Sequence, residues 1–341
     1  LTVLKDALGR GFFLEAQHAG AADGNSLVLT IDSTIQFLAE QALKEAVTSF
    51  DAESAMAVVM DPETGAVLAM AHYPLFNPNV FSEFEQWKWR NRAITDPFEP
   101  GSTMKIFTAA AAIEKTDMTP DSIFFCENGS YRISGHTIHD THEYQWLSLL
   151  EIVKQSSNIG AVKMLEGMGH ETLYTTLREF GFGDRTGIDC PGETPGCLPS
   201  YRQWRGVDAS TIAFGQGVSV SAVQLAAAVN AIANGGVLMR PYVVQAVVDA
   251  AGGDLKRFEP EALRRVVSVD TARTVARIME TVTTEGGTGE SASLVGYGVA
   301  GKTGTAQKIS DNGTYEKGLY VSSFAGFVPV DNPKATIVVI V

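Results

Sequence analysis

The stretch LVLTIDSTIQFLAEQALKEAVTSF changes period part-way along. Leu27 to Ile31 is a short apolar run of the kind that makes a strand. Beyond it Ile35, Leu38, Ala39, Ala42 and Leu43 recur at spacings of three and four, which predicts a helix from about Ser33 to Ser49. Asp32 or Ser33 can cap it. SAMAVVMDPETGAVLAMAHYP then sets two apolar runs around Asp61-Pro62-Glu63-Thr64-Gly65, a hairpin over 55–72. A loop leads to Arg92. Largely apolar segments predict helices over 104–115 and 147–168, with short strands and loops in SIFFCENGSYRISGHTIHDTHEY between them. SAVQLAAAVNAIANGG predicts a further helix closed by Gly235, and DTARTVARIMETVTT an amphipathic one. YGVAGKTGTAQKI, YVSSFAGFVPV and KATIVVIV end the chain as strands. Strands at both ends and helices between them predict an α+β fold. In it the 33–49 helix covers one sheet, built from the 55–72 hairpin and the strands after Val299.

With 341 residues, 45% of them apolar, the chain can bury one large core or two modest ones. Its 26 basic and 39 acidic residues leave a net charge of −13, which excludes a nucleic-acid binder, since phosphate contacts need clustered Lys and Arg. No apolar run approaches the roughly 18 residues of a membrane span. The chain begins without Met or a leader and stops at Val341 inside a strand pattern, so it is expected to be a piece of a longer protein. Residues 1–26, which end in HAGAADGNS, read as a connector, and residues 27–341 as one domain. Cys126, Cys190 and Cys197 are too few for a disulfide framework. Cys190 and Cys197 flank PGETPG and a local bridge is conceivable; two small apolar residues beside a turn is the simpler reading.

Three short patterns carry candidate chemistry. In PFEPGSTMKIF a turn at Pro100-Gly101 puts Ser102 at a helix start and Lys105 one turn on, on the same face. A lysine partly buried there loses preference for its charged form and can take the serine proton. Alone, so short a pattern more often marks a capping serine and a solvated lysine. In KQSSNIGAVKM, Ser156 and Asn158 are small polar groups among apolar neighbours, able to relay a proton and hold an amide, or simply to cap a helix. In VAGKTGTAQ, Lys302 offers a cation and Thr303 a hydroxyl to a carboxylate. Gly304 permits close approach, and the Thr305 N–H is a candidate oxyanion donor. Gly296 to Thr303 also fits a phosphate-binding loop, but no helix follows Lys302-Thr303. Gly304, Thr305 and an expected turn at Asp311-Asn312-Gly313 exclude that context. His136, His139 and His142 with Asp140 could ligate a metal on a helix, whereas Gly135, Thr137 and Ile138 point to strand and loop, which splays them.

Taken in order, Ser102-Thr-Met-Lys105, Ser156-Ser-Asn158 and Lys302-Thr-Gly304 resemble the three motifs of penicillin-binding proteins. LVLTIDSTIQ, DPETGAVLAMA, FGFGDRTGID and FGQGVSVSAVQLA extend the likeness along nearly the whole chain, to the transpeptidase domain of class B members. NRAITDPFEPGSTMK is nearer to the division (septal) branch than to the elongation branch. The resemblance implies a transpeptidase fold in which an antiparallel sheet is flanked by helices and joined by an all-helical subdomain. It also implies that the family's membrane anchor, N-terminal pedestal and last helix lie outside this stretch.

The implied activity is serine acyl transfer on D-Ala-D-Ala stem peptides, without metal or organic cofactor, and acylation by β-lactams. Ser102 would be the nucleophile, Lys105 its base, Ser156 a proton shuttle and Asn158 a holder of Lys105 and the substrate amide. Lys302 and Thr303 would bind the terminal carboxylate, and the N–H groups of Ser102 and Thr305 would form the oxyanion hole. The implied partners are stem peptides, β-lactams and, through segments outside this stretch, a glycosyltransferase and division proteins. The implied place is the outer side of a bacterial inner membrane. Ser157 stands where the β-lactamase pattern has Asp. The alternatives are a β-lactamase or β-lactam sensor of the same fold, or a silent division scaffold.

Overall fold

The computed structural model describes residues 4–5, 11–12, 24–309 and 315–341. Most of the expected connector, and the expected turn at Asp311-Asn312-Gly313, lie outside them. Contacts divide the chain into one unit of residues up to Leu29 with Val244–Phe258, and another of Thr30–Val243 with Glu259–Val341. In the first unit Asp254–Arg257, Val244–Val248 and Ser26–Leu29 form a three-stranded antiparallel sheet in that order. The run at Leu27 is therefore a strand, as its pattern predicts, but of this small sheet.

The second unit holds the large sheet. Helix α1 spans Ser33–Phe50, and the Asp32 carboxylate caps it by accepting from the N–H groups of Thr34 and Ile35. Strands β1 (Ala55–Met60), β2 (Val67–Tyr73), β3 (Ala300–Ile309), β4 (Tyr315–Val328) and β5 (Ala335–Ile340) pair antiparallel in the order β3-β4-β5-β1-β2. The predicted hairpin and the predicted C-terminal strands thus share one sheet. Alternation along β1 sorts its side chains between two cores. Met56, Val58 and Met60 join the large core with Phe327, Val338 and Ile340, whereas Ala55 and Ala57 face Leu43 of α1 with Ala71 of β2. The alanines let α1 approach the sheet closely.

On the opposite face lies a helical layer: α2 (Lys105–Lys115), α3 (Leu149–Gln155), α4 (Asn158–Met168), α5 (Ala222–Ala233) and α6 (Val269–Val282). α5 rests on β5 and β1, and α6 rests on β3. Ala109 to Ala112 of α2 are fully buried, and the Phe107 ring lies 4.9 Å from the rings of both Phe180 and Phe182. The subdomain is less purely helical than the resemblance implies, but three of its short strands fall where the sequence pattern predicts them, between Ser122 and Tyr144. Ile123–Phe125 pairs with Trp146–Ser148, and Ser130–Ile133 with His136–His139. The helix predicted over 147–168 is broken at Ser156-Ser157, and helices at His170–Glu179 and Asp208–Ala213 were not anticipated.

The outer face beside α1 is only partly covered. Phe37, Leu38 and Phe50 are 58%, 60% and 79% exposed, and Ile337, Val339 and Val341 are half-buried. Among the described residues no helix is long and apolar enough to cross a membrane. All three cysteines are free thiols, so the conceivable Cys190–Cys197 bridge is not formed.

Candidate active site

A turn of 3-10 helix, Gly101–Met104, feeds directly into α2. Gly101 makes the turn possible: its φ is 53°, and a Cβ there would lie 2.9 Å from the Thr305 carbonyl oxygen of β3. Ser102 therefore stands at the entrance to the helix and Lys105 begins its first α-helical turn, buried by the apolar residues behind it. Across the cleft, the end of α3 and the start of α4 form a bend. Ser156 closes α3 in the left-handed conformation (φ 62°, ψ 35°), and the Ser157 hydroxyl caps α4 by accepting from the Gly160 N–H. β3 supplies the third wall.

The three predicted motifs converge. The Lys105 Nζ lies 2.7 Å from Ser102 Oγ, 2.8 Å from Asn158 Oδ1, 3.0 Å from the Ser156 carbonyl oxygen and 3.3 Å from Ser156 Oγ. Asn158 Nδ2 donates to the His139 carbonyl at 3.0 Å, which fixes Oδ1 toward the lysine. Two of these partners, the Asn158 amide oxygen and the Ser156 carbonyl, can only accept. A neutral amine has two N–H groups for them, and its lone pair is then left facing Ser102. Lys105 is fully shielded from water. Burial, and then the charge of Lys302, push its ammonium well below the ordinary lysine range, with Asp140 acting in the opposite sense.

Lys302 is also fully buried; its Nζ donates to Ser156 Oγ at 2.9 Å and to the Thr303 carbonyl at 3.0 Å. Burial lowers its pKa to about 7. The sequence reading put this ammonium on a ligand carboxylate. In the structure its Nζ is buried behind the cleft wall and is bonded to Ser156 Oγ and the Thr303 carbonyl. Ser156 Oγ thus bridges the two lysines. Thr303, Gly304 and Thr305 line the cleft, whose volume is about 770 Å3. Gly304 has a role the sequence did not reveal: a Cβ there would fall 2.3 Å from Ser323 Oγ and 2.8 Å from the Pro100 carbonyl oxygen, so the serine turn packs against β3 only over a glycine.

Asp140 was read from sequence only as a companion of the histidines. Its carboxylate accepts from Ser157 Oγ at 2.6 Å, from the Asn158 N–H at 2.5 Å and from the Ile159 N–H at 3.0 Å. It therefore holds the first turn of α4, and with it Asn158. The signal available in sequence was the short strand ending at His139, which can return the chain to α4. The histidines do not gather, since His136 and His139 alternate across one strand and the His142 ring meets Tyr144 edge to face. Among the described residues no group of three His, Cys, Asp or Glu side chains could hold a metal. Lys302 and Thr303 lie inside β3, not between a strand and a helix, so the phosphate-loop pattern has no structural counterpart.

A family model described as the penicillin binding protein transpeptidase domain matches residues 55–341. The stage V sporulation protein D of Bacillus subtilis is 36% identical over 343 residues, 98% of this chain and 52% of that protein. The peptidoglycan D,D-transpeptidase FtsI of Escherichia coli is 35% identical over 339 residues, 99% of this chain and 55% of that protein. The chain spans about half the length of these curated relatives. The crystal structure of penicillin binding protein 3 from Mycobacterium tuberculosis, complexed with aztreonam, superposes with a TM-score of 0.88 at 35% identity, covering 98% of this chain and 80% of that one.

Proposed function

The chain belongs to the class B penicillin-binding protein transpeptidase family, and from that premise we propose that it carries the D,D-transpeptidase centre of a cell-wall cross-linking enzyme. Ser102 Oγ attacks the carbonyl carbon of the penultimate D-Ala of a stem peptide while Lys105 takes the hydroxyl proton. The resulting oxyanion is held by the N–H groups of Ser102 and Thr305. The tetrahedral intermediate collapses, the C–N bond breaks, and the departing D-Ala amine takes a proton delivered through Ser156. An amine of a neighbouring stem peptide then attacks the ester, and Ser102 leaves as its hydroxyl. Asn158 keeps Lys105 aimed and receives the substrate amide. Thr303 meets the terminal carboxylate, Lys302 supplies positive potential from behind, and Gly304 keeps β3 against the serine turn. Residues 1–26 are read as a connector, residues 27–341 as the domain itself. A division role, an envelope location and work beside a glycosyltransferase through other segments complete the proposal.

The observation that supports this most directly is the buried Lys105 Nζ, 2.7 Å from Ser102 Oγ and held by the Asn158 amide oxygen and the Ser156 carbonyl at 2.8 and 3.0 Å. Against the β-lactamase reading, no described side chain lining the cleft is a carboxylate that could activate water behind the ester. A penicillin should accordingly open on Ser102 and stay. Mass spectrometry is expected to find one long-lived adduct of the drug's mass on the peptide containing Ser102. Ser102→Ala should abolish it, and Lys105→Ala should slow its formation by roughly three orders of magnitude. Rapid drug hydrolysis, or an adduct that survives Ser102→Ala, would sink the reading.

A further inference from the structure

Because Lys302 is wholly buried, the groups that can touch a carboxylate in this part of the cleft are those in front of it. Thr303 Oγ1 is one, and it donates to Thr288 Oγ1 at 2.9 Å. Both residues line the cleft. Thr288 belongs to the loop that follows α6, and the loop has little freedom. A Cβ at Gly287 would lie 2.2 Å from the Val282 carbonyl oxygen, so the tight turn admits only glycine. Two side chains at the end of α3, directly before Ser156, pin the loop from the other side: Lys154 Nζ donates to the Glu285 carbonyl at 2.9 Å and Gln155 Nε2 to the Gly286 carbonyl at 3.2 Å. Thr288 Oγ1 itself faces the Lys154 carbonyl at 3.5 Å. Its hydroxyl is thus held between β3 and the Ser156 bend.

We propose that Thr288 is a specificity-determining residue for acyl donors that end in a carboxylate: its hydroxyl and that of Thr303 form a two-donor cradle for the carboxylate in front of the buried Lys302. In the empty cleft the Thr303 proton is directed at Thr288. When an anion arrives, both hydroxyls rotate their protons onto it, and each leaves behind only a neutral acceptor. Two charge-assisted hydrogen bonds then form without any ammonium having to reach the surface. The ligand class is an anionic C-terminus or the ring carboxylate of a β-lactam, and a neutral ester or amide there forfeits the cradle. This inference rests on the proposed reading of Thr303.

The experiment compares acylation of the whole chain by a penicillin and by its methyl ester, in wild type, Thr288→Val and Thr288→Ser, with thermal unfolding recorded for each. The readout is the ratio of the two acylation rates, acid over ester. Removing a hydroxyl that bonds a charged group should lower this ratio about tenfold or more in Thr288→Val, and in Thr288→Ala should that variant be needed for a folded protein. Thr288→Ser should restore most of it. A ratio equal to that of wild type in Thr288→Val, or one that Thr288→Ser fails to restore, would overturn the assignment of Thr288 alone. A wild-type chain that forms no adduct with either compound would instead defeat the reading of Ser102, and the cradle with it.

Discussion

A lysine with no access to water is costly to keep, and this molecule keeps two of them around one serine hydroxyl. Burial favours the neutral amine, and at Lys302 it brings the pKa from 10.5 down to about 7. Between those values the unfolded chain still holds a proton that the folded chain has released. Unfolding there takes up a proton, so stability rises as pH climbs from about 7 toward about 10. Lys105 is shifted in the same direction and adds to the same slope. Replacing Lys302 by Met should remove its share. The variant is expected to unfold at or above the wild-type temperature at pH 7, with its advantage shrinking as pH rises, while acylation is lost. Calorimetry across that range checks it; a difference in Tm that does not change with pH would show that Lys302 does not titrate there. Ser102 and Lys105 were legible because Pro100-Gly101 announces a turn and the alanines announce a helix. The depth of Lys302 was not legible, since nothing in VAGKTGTAQ separates a lysine that faces a ligand from one sealed behind its own strand.

At the scale of elements, the bend between α3 and α4 organises the site. It was hidden because Ser156 takes a left-handed conformation that sequence normally advertises with Gly or Asn. What makes the bend tolerable is Asp140, which lies just past the His136–His139 strand and 17 residues before Ser157 and gathers three donors at the start of α4. Contacts that return across such a distance leave no periodic trace. Asp140→Ala should strip the first turn of α4 of its acceptor and cost on the order of 2 kcal/mol, seen as a lower Tm. Acylation should slow as well, because Asn158 loses its anchor. Asp140→Asn, which keeps one acceptor oxygen, should fall between. Unchanged Tm and rate in Asp140→Ala would mean that Ser157 alone suffices as the cap. By contrast, the helix at His170–Glu179 did carry a signal, Leu173 and Leu177 one turn apart. The hairpin of Val244–Arg257 had one as well, a Gly252-Gly253 turn between apolar and charged strands.

For the molecule as a whole, the sheet and its attendant helix were readable because the two apolar runs around the Asp61–Gly65 turn and a 3.6-residue stripe on α1 are both local. How completely α1 would cover the outer face was not, since coverage depends on neighbours far along the chain. Phe37, Leu38 and Phe50 of α1 are exposed apolar side chains. Changing Leu38 to Gln and Phe50 to Ser should reduce binding of an apolar dye and raise the concentration at which the protein stays monomeric, with acylation kept within about twofold of wild type. If dye binding is undiminished, these side chains are covered in solution.

The strand order carries a consequence for biosynthesis. β1 and β2 are adjacent in the chain and can meet each other at once, but β1 gains its second neighbour, β5, only when Thr336 to Ile340 are in place. Until then the all-apolar AMAVVM presents an open backbone edge. Lys302 and Thr303 arrive just before that closure, so no catalytic constellation exists on a nascent intermediate. A strand that waits for a partner about 275 residues further on slows folding and leaves a sticky edge exposed meanwhile.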